Sequence, residues 1–282
     1  MMNTISIQGV KGSFHDEAAQ KYFQNPIIID SQMTFSSLIN SVKNNNVDYG
    51  IIAVENTISG TIHSNFNLIK QSNLEITGEV YLSIKQNLAV LPGVSFNDLD
   101  QVQSHYMAIN QCRDFFKKYP HIKLIDSTDT AHTMQLIANK KLDTIGAIGS
   151  KLAAEYYGLN IIAESIETNK ENYTRFLILR KKIINCNNNF NKVSLCITVP
   201  NLKGSLAKIL NIIYTHDIDL SKIESIPIIG EPWNYSFYLD LIFNNCENYF
   251  KMIYAINPFI GQLDVLGKYL KGEKSFNQIH KT

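Results

Sequence analysis

The chain has 282 residues, a formal net charge of +1, and 45% hydrophobic against 18% charged residues. That length suits two or three domains with ample core. The near-zero charge excludes a strong field for nucleic acid or an anionic membrane surface. No apolar run approaches the ~18 residues of a spanning helix. The start, M-M-N-T-I-S-I-Q-G, lacks a signal peptide's basic residues and apolar run, so a cytoplasmic location is expected. Cys112, Cys186, Cys196 and Cys246 stand far apart with no C-x-x-C pair, which argues for reduced thiols over a metal or disulfide framework.

In chain order, Ile5 to Gln8 predicts a strand and Phe14 to Phe23 a helix. Phe35, Leu38, Ile39 and Val42 fall at i, i+3, i+4, i+7, a helix capped by Thr34. Tyr49 to Val54 is a β-rich apolar run, and a helix-compatible segment follows Gly60. Val80 to Val90 predicts one longer strand. A second alternating set follows: strand after Val102, helix Asn110 to Lys118, strand Ile122 to Ile125, helix Ala131 to Ala138, strand Thr144 to Ile148, helix Leu152 to Tyr157 and a short strand at Ile161-Ile162. Such alternation predicts parallel sheet with helices on both faces, here in two lobes with a cleft between them. Lys181 to Lys192, with N-C-N-N-N-F-N, reads as a linker. Beyond it come strand Val193 to Val199, helix after Gly204, strands Leu220 to Pro227 and Tyr235 to Phe243, helix Tyr249 to Ile256 and strand Ile260 to Leu266. That is β-α-β-β-α-β, the ferredoxin-like order.

Polar clusters at strand ends are where such sheets bind ligands. Gly9-Val10-Lys11-Gly12-Ser13 turns a strand into a helix that Ser13 caps. Glu55-Asn56-Thr57 and Ser59-Gly60-Thr61 end the strand from Ile51. Asn56 and Thr57 suit either a ligand or a capped turn. Ser104, His105 and Gln111 follow another strand. Adjacent Ser and His seldom face each other, and no G-x-S-x-G turn is present, which disfavours a hydrolase. Asp126 to Ala131 reads as a helix N-cap cluster. In Asn172-Tyr173-Thr174-Arg175-Phe176-Leu177-Ile178-Leu179, an apolar strand opens with amide, hydroxyl and guanidinium groups. No metal-ligand spacing, Walker loop or dinucleotide fingerprint occurs.

Together these motifs resemble the prephenate dehydratase family with a C-terminal ACT regulatory domain, from about residue 5 to residue 270. Gly9-Val10-Lys11-Gly12-Ser13-Phe14 is similar to the family's G-P-x-G-[ST]-[FY], with Val10 for proline. Val54-Glu55-Asn56-Thr57-Ile58-Ser59-Gly60 resembles [IV]-E-N-[ST]-x-x-G. Ser104-His105 with Gln111-Cys112 resembles S-H-P-x-x-x-x-Q-C, with Tyr106 for proline. Ala147-Ile148-Gly149-Ser150, Tyr157-Gly158-Leu159 and the N-x-T-R-F signature at Asn172 to Phe176 complete the set. Gly204-Ser205-Leu206 is similar to the ACT G-A-L segment. Glu224-Ser225-Ile226-Pro227 is similar to E-S-R-P, with Ile226 in place of the arginine.

The resemblance implies an α/β fold: a two-lobed, periplasmic-binding-protein-like type II catalytic domain over 1–182 and a ferredoxin-like ACT domain over 191–275. Lobe 1 would span about 1–80 and 165–182, lobe 2 about 81–164. It implies dehydration and decarboxylation of prephenate to phenylpyruvate in phenylalanine synthesis, without cofactor or metal, in a homodimer or homotetramer with no nucleic-acid or membrane partner. Arogenate dehydratase and a non-catalytic amino-acid sensor are the alternatives. Because the first dehydratase motif begins at Gly9, no fused chorismate mutase is expected. Thr174 carries the catalytic role, with Glu55 as a candidate acid or a structural carboxylate. Asn56, Thr57, Gly60, Ser104, Gln111, Arg175 and Phe176 are assigned to the substrate. For Arg175 two readings stand: a partner for a substrate carboxylate, or a brace between the lobes. His105 is expected to support its loop. Phenylalanine as effector would meet Gly204, Ser205, Leu206, Ala207, Glu224 and Ser225.

Overall fold

A computed structural model describes residues 2–183, 189–228, 230–231 and 233–273. Its contacts divide the chain into two compact units, Met1–Ile62 with Val80–Phe176, and His63–Glu79 with Leu177–Thr282. The first unit opens with β1 (Asn3–Gln8), α1 (Phe14–Phe23), β2 (Ile27–Gln32), α2 (Phe35–Lys43), β3 (Tyr49–Asn56) and the two-residue β4 (Gly60–Thr61). α1 starts where expected because the Ser13 hydroxyl accepts from the Asp16 N–H. α2 starts where expected because Thr34 and Ser37 form a reciprocal capping box. β1 pairs in parallel with both β2 and β3. Ile5, Ile7, Leu38, Val42, Ile51, Ile52 and Val54 are buried between this sheet and its helices.

The next helix is α3 (His63–Ser72) and the next strand β5 (Leu74–Ser83). The single strand expected over Val80 to Val90 is broken. Ile84 gives its N–H to the Asn172 carbonyl, and Gln86 gives its N–H to the Glu167 carboxylate. The backbone therefore leaves the first sheet before β6 (Asn87–Val90) joins another. That second sheet also holds β7 (Gln101–His105), β8 (Lys123–Ser127), β9 (Ile145–Gly149) and β10 (Asn160–Ala163), in the order β10-β6-β9-β7-β8. β7 pairs in parallel with β8 and β9, whereas β6 and β10 are antiparallel, so the sheet is mixed. α4 (Tyr106–Phe116), α5 (Thr130–Lys140) and α6 (Lys151–Tyr156) pack against it. α4 starts four residues earlier than its apolar pattern suggests, because the His105 ring accepts from the Met107 N–H and caps the helix.

The chain then returns to the first sheet as β11 (Tyr173–Lys181), beside β3. Both sheets of the first unit thus repeat one order: a parallel trio, then an antiparallel or returning strand. This is the two-lobed α/β arrangement expected. The lobes touch at Gly12. A Cβ there would lie 2.5 Å from the Ala153 Cα, and the φ of +84° already favours glycine. Ser150 caps α6 and donates its hydroxyl to the Gly12 carbonyl, and the Tyr157 hydroxyl donates to that of Lys11 at 2.9 Å.

In the second unit, β12 (Lys192–Thr198), α7 (Ser205–Thr215), β13 (Asp219–Pro227), β14 (Tyr235–Ile242), α8 (Cys246–Ile256) and β15 (Leu263–Tyr269) follow the β-α-β-β-α-β order. The sheet order β13-β14-β12-β15 is ferredoxin-like, and β5 extends it beside β15. Val193, Leu195, Ile197, Leu239 and Leu241 pack on Ile209, Ile213, Tyr249 and Met252 of α7 and α8. α3 also belongs to this unit: Phe66 lies 5.3 Å from the Tyr238 ring, and Lys70 pairs with Asp264. Lys192 and Glu79 form a buried ion pair with both carboxylate oxygens within 2.9 Å. The linker expected at Lys181 to Lys192 lies partly outside the described residues, as do Cys186 and the last two residues of 191–275. Among the described residues Cys112, Cys196 and Cys246 form no disulfide. Among the described residues no helix is long and apolar enough to cross a membrane.

Candidate active site

The end of β3 and the start of β11 meet in a network of amides. The Asn56 Oδ1 accepts from the backbone N–H groups of Ile58 (3.0 Å) and Ser59 (2.9 Å). Those two donors settle the amide's orientation, since a flipped Nδ2 would face N–H groups with nothing to accept. The Nδ2 must then point at Asn172 Oδ1 (2.8 Å), Thr174 Oγ1 (2.9 Å) and the Tyr173 carbonyl (3.2 Å). Asn56 thus caps the turn after β3 and also holds the Thr174 hydroxyl.

One consequence concerns Thr174. Its oxygen accepts from Asn56, and its own proton has no acceptor among the described residues. The hydroxyl lies largely buried. Behind it, Phe176, Leu177, Ile178 and Leu179 are each at most 1% exposed, which anchors the strand and hence the hydroxyl. Phe176 stacks edge-on against the His15 ring at 5.0 Å, and the His15 Nε2 accepts from the Ala53 N–H. Burial lowers the His15 pKa to about 3, so this imidazole is neutral. The sequence reading passed over His15. Its position two residues past the capping Ser13 was the available signal.

Successive strand residues point to opposite faces. Thr174 faces Asn56, while Arg175 lies 3.9 Å from the Glu55 carboxylate, its own side chain 4% exposed. Thr174 and Arg175 therefore do not converge on one spot. The Thr57 hydroxyl donates to the Glu171 carbonyl and accepts from the Tyr173 N–H, so it ties down the entry to β11. Gly60 is exposed, with φ +80°.

In the second lobe, Ser104 is fully buried and gives its proton to the Ile148 carbonyl at 2.7 Å. The structure does not bring it to a surface, where substrate positioning would need it. His105 caps α4, as expected of a loop support, and burial lowers its pKa. Gln111, in the second turn of α4, accepts from Asn172 Nδ2 at 2.9 Å and so joins the Asn56 and Thr174 network. Asp129 caps α5. Among the described residues no three His, Cys, Asp or Glu side chains group as a metal would need.

In the second unit, Gly204 is the N-cap of α7, with Ser205, Leu206 and Ala207 in its first turn. Glu224 and Ser225 lie on β13, and Glu224 hydrogen-bonds to His63 at 2.8 Å. Ile226 is buried, where its apolar side chain serves packing.

The family described as prephenate dehydratase matches residues 5–184. A bifunctional chorismate mutase/prephenate dehydratase of Buchnera aphidicola (subspecies Acyrthosiphon pisum) is 34% identical over 245 residues, 85% of this chain; the chain spans only 63% of that relative. A relative from Arabidopsis thaliana, arogenate dehydratase/prephenate dehydratase 2, is 32% identical, covering 94% of this chain and 72% of its own. Among solved structures, a prephenate dehydratase from Arthrobacter aurescens in complex with L-Phe aligns with a TM-score of 0.82 at 24% identity, over 95% of this chain and 89% of that one. A quorum-quenching acylase, GqqA, aligns at 0.84 with 23% identity over 97% and 99%, a likeness of fold. The family match covers more than half of the sequence and agrees with a relative above 30% identity, and on that ground the chain belongs to the prephenate dehydratase family.

Proposed function

We propose that this chain converts prephenate to phenylpyruvate, with loss of carbon dioxide and water. The carrying observation is the Thr174 hydroxyl, whose oxygen is held by Asn56 and whose proton has no acceptor among the described residues. In the reaction the ring carboxylate leaves as carbon dioxide, its bonding pair enters the ring, and the ring hydroxyl departs with the C–O pair as hydroxide, which takes a proton from solvent to become water, as the ring becomes aromatic. The driving force lies in the substrate, so the protein needs only to hold a dianion and stabilise the departing oxygen. Thr174 does the latter by donating a hydrogen bond. The Asn56 amide, donating to the Thr174 Oγ1, offsets charge that builds on that oxygen as Thr174 donates more strongly. A threonine hydroxyl is too weak an acid to give up its proton outright. Arg175 and Glu55 lie 3.9 Å apart on the other strand face and within one lobe, so this pair is no brace between lobes, and Arg175 is proposed as the partner of a substrate carboxylate.

Purified protein incubated with prephenate should form phenylpyruvate. Thr174→Ala should lose most turnover while keeping the parent's melting temperature, and Thr174→Ser should retain part of it. Parent-like turnover in the alanine variant would remove Thr174 from the mechanism. The name of the Arabidopsis relative makes arogenate the second substrate to compare.

Phenylalanine is the proposed effector, taken up by an ACT-type second unit in a homodimer or homotetramer. The ferredoxin-like order and the L-Phe complex of the Arthrobacter structure support the effector part of this reading. Deleting 191–282 would strip contacts from α3 as well, so Gly204→Val is the sounder test. It should abolish inhibition by phenylalanine at parent turnover, and retained inhibition would place the effector elsewhere.

A further inference from the structure

The amide network continues past the threonine. Asn172 is fully buried, and both ends of its side chain are committed. Its Oδ1 accepts from Asn56 Nδ2 at 2.8 Å, and its Nδ2 donates to Gln111 Oε1 at 2.9 Å. None of the three amides is free to flip. The Ile58 and Ser59 N–H groups set Asn56, Asn56 sets Asn172, and Asn172 sets Gln111. The sequence separations are long, 116 residues from Asn56 to Asn172 and 61 from Asn172 to Gln111. The bonds therefore link the first sheet to α4 of the second lobe. At the far end the Gln111 Nε2 has no acceptor among the described residues. A backbone turn at residues 56–59 thus dictates that Gln111 presents a donor and not an acceptor.

We propose that Asn172 is a positioning residue that orients Gln111 so that its Nε2 donates to a carboxylate of the substrate. The inference rests on the proposed prephenate reading, in which the substrate is a dianion and donors are what bind it. Among the described residues the Asn172 side chain hydrogen-bonds only to the two amides and acts through them.

Asn172→Asp isolates the Gln111 arm. An aspartate oxygen still accepts from Asn56, but no N–H remains for Gln111. The Gln111 amide must then turn its Nε2 inward and present oxygen to the substrate. The expected result in the full-length protein is a KM for prephenate raised roughly tenfold, with kcat within about threefold. In a Gln111→Ala background the same change should add almost nothing, because the group it acts through is gone. An equal KM rise in both backgrounds, or no rise in either, overturns the proposal. Should Asn172→Asp fail to fold, Gln111→Glu and Gln111→Met decide. Glutamate can still accept from Asn172 but presents a negative oxygen outward, so its KM should exceed that of methionine. A KM at or below that of Gln111→Met overturns the donor orientation. Inactivity of the parent on prephenate is a separate outcome: it sinks the functional reading, and this role with it.

Discussion

Asn56→Asp changes one atom's chemistry and keeps the shape. The new side chain still accepts from Ile58 and Ser59, so the turn after β3 should survive. What disappears is the Nδ2, whose two protons serve three acceptors between 2.8 and 3.2 Å away. Two hydrogen bonds at a half-buried site, about 1 kcal/mol each, put the stability loss near 2 kcal/mol. The effect on rate should be larger. With a carboxylate oxygen 2.9 Å away, the Thr174 hydroxyl would turn its proton towards it, and the departing group would lose its donor. Removing one donor to a developing oxyanion costs roughly 10²- to 10³-fold in kcat, and that range is expected here. The assay is phenylpyruvate formation at saturating prephenate, with a melting curve to show that the variant is folded. A folded Asn56→Asp protein whose kcat stays within about threefold of the parent would refute the argument that Thr174 works through its free proton.

Gly12→Ala should cost about 1–3 kcal/mol and lower the melting temperature, because the added Cβ meets the Ala153 Cα at 2.5 Å in a left-handed backbone; an unchanged melting curve would contradict the close lobe contact. Lys192→Met should cost about 3–5 kcal/mol by removing the cation that pairs with Glu79, whose side chain is 1% exposed, whereas Lys192→Met with Glu79→Leu should recover most of it. Denaturant titration of both variants separates the two, and equal losses would count against a buried charge as the cause. His15 gives a pH test: its folded pKa, about 3, lies below the ordinary 6.5, so the stability tied to its neutral form is present above pH 6.5 and lost as the pH falls towards 3. The slope is at most about 1.4 kcal/mol per pH unit. His15→Gln should flatten the fall in melting temperature over that window, and identical pH profiles would rule the histidine out.

Most elements were legible because their signals are local. The Ser13 and Thr34 caps, the apolar face from Phe35 to Val42, and the buried run Phe176 to Leu179 each need only a few neighbouring residues to be recognised. The opposite facing of Thr174 and Arg175 was also within reach, since it follows from the period of a strand. Ile27–Gln32 was missed, being a strand with only short apolar content before Asp30 and Ser31.

Other features belong to the tertiary structure. The break between β5 and β6 depends on the Asn172 carbonyl and the Glu167 carboxylate drawing N–H groups out of a continuous apolar run. Ser104 looks like a site hydroxyl in sequence, but the Ile148 carbonyl on a neighbouring strand takes its proton. Residues 63–79 group with a unit that begins again more than ninety residues later, because Phe66 and Lys70 find their partners on β14 and β15. By itself the sequence determined which residue types stand at the ends of which strands. Which of them have protons left to give was decided only when the fold brought Asn56, Asn172 and Gln111 together. A hydrogen-bond partner that far along the chain leaves no periodic trace in sequence, and only the packed backbone settles which end of each amide faces which.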